Sequence, residues 1–282
     1  MRPEHNAMAA SDPPAAPLVV KIGGRALEGD ARAELAREVR ALAGGVVLVH
    51  GGGADVTAWC ARLGIEPRFH DGLRITDPAT LEVATAVLGG LSNKRWVALL
   101  GQHGVRAAGL CALDAGIAEV AMHPQAAVLG AVGEVRAIDA AAVRALLDAG
   151  ITPVLASIGA CAGALVNINA DDLAAAVGGA MATPALVLLS DTPGLVLDGQ
   201  VVPVLDSKGL TMALTHPQVT GGMRPKLLAA QRALDSGAAR VIIAAWNGPG
   251  TLAALINGTG TGTTLVREPA PSLTAAPSGG RS

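Results

Sequence analysis

Lysines beside glycine turns are the residues in this chain best placed to do chemistry. Lys21 sits near the end of the apolar run 18–22, and Gly23 and Gly24 follow it. A second apolar run, 46–49, leads into His50, Gly51, Gly52 and Gly53. Lys226 closes the stretch Thr220-Gly221-Gly222-Met223-Arg224-Pro225-Lys226. Glycine has no side chain to keep an anion away from the backbone. A strand that ends in glycines and opens a helix offers N–H groups and a positive dipole end to a phosphate or carboxylate. The alternative is a tight turn with no ligand. Lys226 falls in the first turn of its helix, where the dipole disfavours a cation, and a nearby phosphate would compensate.

Two further charges could complete such a site. Arg74, in the polar stretch 69–77, is a planar fork suited to a carboxylate, or else a solvated surface side chain. Asp171 lies in Asn167-Ile168-Asn169-Ala170-Asp171-Asp172, ahead of an alanine-rich helix. Asn169 or Asp171 could simply cap that helix. Asp171 could instead orient a lysine.

Positioning these groups takes alternating strands and helices. Strands are expected at 18–22, 46–49, 105–109, 151–156, 185–189, 240–245 and 263–266, because short apolar runs bounded by turn residues read as buried strands. Helices are expected at about 31–42, 55–62, 79–103, 140–149, 170–182, 226–236 and 252–257. Leu35, Val39 and Leu42 show the helical spacing in the first of them. Residues 69–77 read as a loop, closed by Asp77-Pro78 as a cap and first-turn pair. Residues 128–135 read as a bent β-hairpin within strand-like 117–138, and 195–205 as a hairpin turning at Asp198-Gly199. If the first two strands are parallel neighbours, their carboxyl ends meet, which is where open α/β sheets bind ligands.

Composition narrows the function classes. In 282 residues, 51% are hydrophobic and 16% charged, a globular balance large enough for one or two domains. With one Phe, three Trp and no Tyr, aliphatic residues must fill the core. A net charge of −2 and few aromatics argue against nucleic acid. No uninterrupted apolar stretch reaches the ~18 residues of a membrane span. Cys60, Cys111 and Cys161 fit neither a disulfide framework nor a zinc site, and suit reduced thiols in a cytoplasmic enzyme. Segments 1–17 and 267–282 are rich in Pro, Ser, Ala or Gly and read as unstructured.

The ordered set of motifs resembles the amino acid kinase family, and within it the acetylglutamate kinases. It comprises 21–24, 50–53, 71–77, Asn93-Lys94, 132–135, 167–171, 189–194, 220–226 and 262–265, across roughly residues 18–266. The resemblance implies a three-layer αβα sandwich around a mainly parallel sheet. It implies an N-terminal lobe, 18–183, for the amino acid and for dimerisation, and a C-terminal lobe, 184–266, for ATP. The implied reaction moves the γ-phosphoryl group of ATP, with Mg²⁺, to the γ-carboxylate of N-acetyl-L-glutamate in arginine biosynthesis. By position, Lys21 and Lys226 flank the transferred group and Asp171 holds them. Gly51, Gly52, Arg74 and Asn167 would take the amino acid. Gly23, Gly24, Ser190, Asp191 and Met223 would take the nucleotide.

Departures from the family pattern are Arg25 after the glycines, Ala54-Asp55, and Cys111-Ala112-Leu113-Asp114. Alternatives are a sister kinase acting on an aminoadipate derivative in lysine synthesis, and a non-catalytic paralogue. A nicotinamide-dependent oxidoreductase lacks its G-x-G-x-x-G here. The prolines at 3, 13, 14 and 17 disfavour an interlacing N-terminal helix, so the expected assembly is an arginine-insensitive homodimer.

Overall fold

The computed structural model describes residues 15–23, 29–42 and 45–267. Gly24 and Arg25 lie outside the described residues, as do most of the two segments read as unstructured. The chain begins β1 (Leu18–Ile22), α1 (Ala31–Ala41), β2 (Val46–His50), α2 (Gly53–Arg62), β3 (Phe69–His70), β4 (Leu73–Arg74). It continues α3 (Pro78–Ala84), a π-helical segment (Thr85–Ser92), α4 (Asn93–Gln102), β5 (Ala107–Cys111), β6 (Ala118–Met122), α5 (Ala126–Leu129), β7 (Val132–Ile138), α6 (Ala140–Asp148). Then come β8 (Thr152–Ala156), β9 (Ile158–Cys161), β10 (Ala164–Ile168), α7 (Ala170–Ala180) and β11 (Leu186–Ser190). Last are β12 (Val196–Leu197), β13 (Gln200–Val201), β14 (Val204–Leu205), α8 (Ser207–Thr215), α9 (Met223–Ser236), β15 (Arg240–Ala245), α10 (Thr251–Ile256) and β16 (Thr263–Val266).

Eight strands form the central sheet in the order β14-β16-β15-β11-β1-β2-β8-β5. Only the β15–β16 pair is antiparallel. Side chains alternate across a strand, and here both faces are covered. Val19, Val49, Leu186, Leu188 and Val241 share one buried cluster with residues of α7 and α9. Val20, Ile22, Leu48, Val187 and Leu189 share another with residues of α1, α4 and α10. Helices therefore sandwich the sheet in three layers. A second sheet, β6-β7-β10-β9, stands beside it.

Registers place Ile22 beside both His50 and Leu189. The carboxyl ends of β1, β2 and β11 thus meet at one edge, as the two glycine turns suggested.

Several elements differ from their sequence reading. Residues 126–129 form α5, so β7 pairs not with its own upstream segment but with β6. Gly130, at φ +73°, joins α5 to β7, and a Cβ there would lie 2.4 Å from the Thr76 carbonyl oxygen. The loop at 69–77 contains the β3–β4 hairpin, turned by Asp71 and Gly72 at positive φ. The β9–β10 hairpin and α8 were not anticipated. The helix expected at 79–103 is α3 and α4 joined by π-helical turns, which carry an extra residue per turn and occur often at functional sites.

Candidate active site

Each key side chain is placed by an element end. Lys21 is the penultimate residue of β1, Asp171 is in the first turn of α7, and Lys226 is in the first turn of α9. Asn169, not Asp171, caps α7: its Oδ1 accepts from the amides of Asp171 at 2.8 Å and Asp172 at 3.2 Å. That leaves the Asp171 carboxylate free to bridge. Its Oδ1 lies 2.8 Å from Lys21 Nζ and its Oδ2 lies 2.8 Å from Lys226 Nζ. All three side chains are buried, each residue 8% exposed.

The electrostatics of this triad follow from that burial. Burial would raise the Asp171 pKa, but the two ammonium groups outweigh it and hold the carboxyl well below the usual range. Burial lowers the pKa of Lys21; Asp171 opposes this and Lys226 adds repulsion. Asp171 Oδ1 is ion-paired with Lys21 without a well-angled hydrogen bond. Two lysines share the Asp171 carboxylate, and the charge of Asp191 also acts on Lys21.

A cavity of about 210 Å³ opens beside Lys21 and Asp171. Gly51, Gly52, Gly53, Arg74 and Asn167 line its polar part; Val56, Leu88 and Val132 line its apolar part. Leu88 comes from the π-helical segment and presses on the glycine turn: a Cβ on Gly52 would stand 2.7 Å from Leu88 Cδ2. Arg74 stacks on Phe69, with Cζ 4.7 Å from the ring centre. Its Nη2 donates to the Gly53 carbonyl and to Thr57 Oγ1, each at 2.8 Å. Its Nη1 is buried with no protein partner. A buried guanidinium nitrogen without a partner is costly unless a ligand supplies the acceptor. Asn167 Nδ2 donates to Thr76 Oγ1 at 3.2 Å.

An adjoining cleft of about 570 Å³ is lined by Lys21, Gly23, Ser190, Asp191 and Lys226 together with Arg74 and residues of α2 such as Gly53 and Thr57. The Ser190 and Thr192 hydroxyls bond each other at 2.8 Å. Met223 heads α9 and packs half-buried against the core, lining neither of these two cavities. Gly24 lies outside the described residues. Thr57, Thr76, Phe69 and the Gly53 carbonyl hold Arg74 and Asn167 in place. Gly53 and Thr76 lie within sequence motifs, although with no role given them there, whereas Thr57 belongs to none and its signal is proximity in space.

A description of the amino acid kinase family matches residues 16–245. The chain belongs to that family. An acetylglutamate kinase of Chloroflexus aurantiacus is 41% identical over 229 residues, covering 80% of this chain and 90% of that protein. One from Methanopyrus kandleri is 40% identical over 262 residues, covering 86% and 98%. Among solved structures, smu.665 from Streptococcus mutans UA159 superposes with a TM-score of 0.74 at 28% identity, covering 88% of this chain and 98% of that one. The N-acetylglutamate synthase from Neisseria gonorrhoeae, complexed with coenzyme A and N-acetyl-glutamate, gives a TM-score of 0.78 at 26% identity. That match covers 90% of this chain and 60% of the synthase. Among the described residues, no helix is long and apolar enough to cross a membrane.

Proposed function

We propose that this chain is an ATP-dependent acetylglutamate kinase acting in arginine biosynthesis. The observation that carries the reading is the Lys21–Asp171–Lys226 bridge between two cavities. The smaller cavity, with Arg74 and Asn167, takes N-acetyl-L-glutamate from the lobe of residues 18–183. The larger cleft takes ATP, with Ser190, Asp191 and Lys226 contributed by residues 184–266 and Lys21 and Gly23 by the first lobe. Relatives at about 40% identity named acetylglutamate kinase support the substrate assignment.

The γ-carboxylate is already ionised at neutral pH, so no general base is needed. A carboxylate oxygen bonds to the γ-phosphorus, the bond from that phosphorus to the bridging oxygen breaks, and ADP leaves with the electron pair. Catalysis is alignment of two anions and neutralisation of charge on the phosphoryl oxygens. Lys21 and Lys226 supply that charge from either side, and Asp171 fixes their ammonium groups. Arg74, through its unpartnered Nη1, orients the amino acid. Gly51 and Gly52 let the backbone approach.

Among the described residues, no group of three His, Cys, Asp or Glu could hold a metal. A Mg²⁺ brought in with ATP would take oxygen ligands from the nucleotide phosphates and water, the ligands this hard cation favours. When bound, it screens the phosphate charges.

The test is ATP consumption with a panel of acylated and free acidic amino acids, with hydroxylamine added to trap an acyl phosphate as its hydroxamate. Hydroxamate formed from N-acetylglutamate well above N-acetyl-aminoadipate is expected. The reverse preference would move the enzyme to lysine synthesis, and no hydroxamate with any acid would end the kinase reading.

A further inference from the structure

His50 ends β2 and lies fully buried beneath the glycine turn. Its Nδ1 is 2.8 Å from the Gly51 carbonyl oxygen, and its Nε2 is 3.1 Å from Asn93 Nδ2. The other partners of Asn93 fix the direction of that second bond. Asn93 Nδ2 donates to the Val154 carbonyl at 2.9 Å, and Asn93 Oδ1 accepts from Lys94 Nζ at 3.0 Å. A carbonyl only accepts and an ammonium only donates, so the amide orientation of Asn93 is determined. Asn93 therefore donates to His50 Nε2, which carries no proton. The ring proton sits on Nδ1 and is donated to the Gly51 carbonyl. Burial lowers the His50 pKa, which keeps the ring neutral.

This places the Asn93-Lys94 motif, to which the reaction gives no direct task, directly under the turn. Lys94 Nζ also donates to the Gly109 carbonyl at 2.8 Å, so the network is tied to β5 as well as β8. Within the turn, the Gly51 amide donates to the Ile22 carbonyl at 3.3 Å, and the Gly52 carbonyl accepts from the Val56 amide at 2.9 Å. Those groups are committed. In a trans peptide the carbonyl and the next N–H point in opposite directions. Holding the Gly51 carbonyl toward His50 therefore aims the Gly52 N–H away from it. Between two glycines a peptide flip meets little steric resistance. A flipped peptide would turn a carbonyl oxygen, not an N–H, toward an incoming anion.

We propose that His50, in the Nδ1–H tautomer set by Asn93, is a positioning residue for phosphoryl transfer: it clamps the Gly51–Gly52 peptide so that the Gly52 amide faces the reacting anion. This rests on the kinase reading above.

Two variants separate the clamp from mere packing. His50→Asn places an amide N–H near the Nδ1 position and can still donate to Gly51. His50→Gln reaches toward Asn93 and leaves the Gly51 carbonyl unheld. With ATP and N-acetylglutamate, the Gln variant is expected to lose about 100-fold in kcat, as a ~1 Å misplacement can cost, and to change either KM much less. The Asn variant should recover to within about tenfold of wild type. Equal losses in both variants, unchanged kcat in the Gln variant, or a KM effect alone would overturn the proposal while leaving the kinase reading intact. A wild type that forms no hydroxamate would instead remove the reading itself. Should either variant fail to fold, the ¹⁵N spectrum of the histidine-labelled full chain decides: Nδ1 protonated and Nε2 bare at neutral pH is expected, and a protonated Nε2 refutes the clamp.

Discussion

At the residue scale, the site is one carboxylate shared by two buried ammonium groups. Lys21→Ala and Lys226→Ala should each lower kcat by about two orders of magnitude or more, the usual loss when a donor to transition-state charge is removed. Steady-state kinetics at saturating ATP would check this, and near-wild-type turnover would take that lysine out of the role. Arg74→Lys tests the other end of the cavity. One arginine nitrogen is occupied by Gly53 and Thr57 while the second has no protein partner, and an ammonium cannot serve both places. The KM for N-acetylglutamate should rise about tenfold or more, with that for ATP little changed. Asp171→Asn addresses stability. It leaves two buried lysines without their counter-ion and should destabilise the fold by about 3–5 kcal/mol at neutral pH. Because the folded pKa of Asp171 is depressed, its stabilisation is present above the unfolded value near 4 and is lost as pH falls toward the folded value. The difference in denaturation midpoint between wild type and Asp171→Asn should therefore shrink below about pH 4. A constant difference down to pH 2 would contradict the depressed pKa.

At the element scale, the site depends on where helices start. α7 starts at an asparagine cap, and α9 starts so that Lys226 falls in its first turn despite the dipole. The start of α10 is held by a residue far away in sequence. Glu38 of α1 accepts from the amides of Gly250 and Leu252, each at 2.8 Å, and of Ala253 at 3.3 Å. A carboxylate on a helix N-terminus satisfies donors that the helix cannot. Glu38→Ala should cost about 1–2 kcal/mol and lower the melting temperature by about 2–8 °C, given ~2–4 °C per kcal/mol at this chain size. Calorimetry would show it, and an unchanged melt would mean the bonds contribute nothing net. The Glu38 cap was not legible in the sequence, because the two ends of the contact are more than 200 residues apart. The Asn169 cap was half legible: the sequence offered two candidates, and the backbone chose one.

At the scale of the whole molecule, one sheet joins the early and late parts of the chain, with β1 paired to β11. The tip of the β3–β4 hairpin also reaches across, since a Cβ on Gly72 would stand 3.4 Å from the Gly221 carbonyl oxygen. A homodimer joined through the N-terminal lobe remains our proposal for the assembly. Edge strand β5 is half-buried along its length, and an open sheet edge is a natural place for a second copy to pair. Residues 1–14 lie outside the described residues, whereas the Pro17 carbonyl accepts from Thr183 Oγ1 at 2.7 Å. Removing residues 1–14 should therefore leave turnover and a dimeric sedimentation coefficient unchanged. A hexamer in the full chain, or loss of the dimer on truncation, would show that the N-terminal segment governs assembly.

Apolar runs, glycine turns and charged residues at their ends are local features, and they made the strand ends and the α/β class legible and Lys21, Lys226 and Asp171 candidates, with Asp171 left open between a cap and a lysine partner. Strand-end chemistry is readable because a buried parallel strand must be apolar and its turn must suit the backbone. Tertiary structure alone decided that Asp171 bridges both lysines, since the bridge joins residues on three elements that are more than 50 positions apart in sequence. It also decided that β7 pairs with β6, that π-helical turns set Leu88 against Gly52, and that His50 holds a tautomer. Each of these is a contact between distant segments, whose geometry follows from packing around the sheet rather than from any residue's own preference.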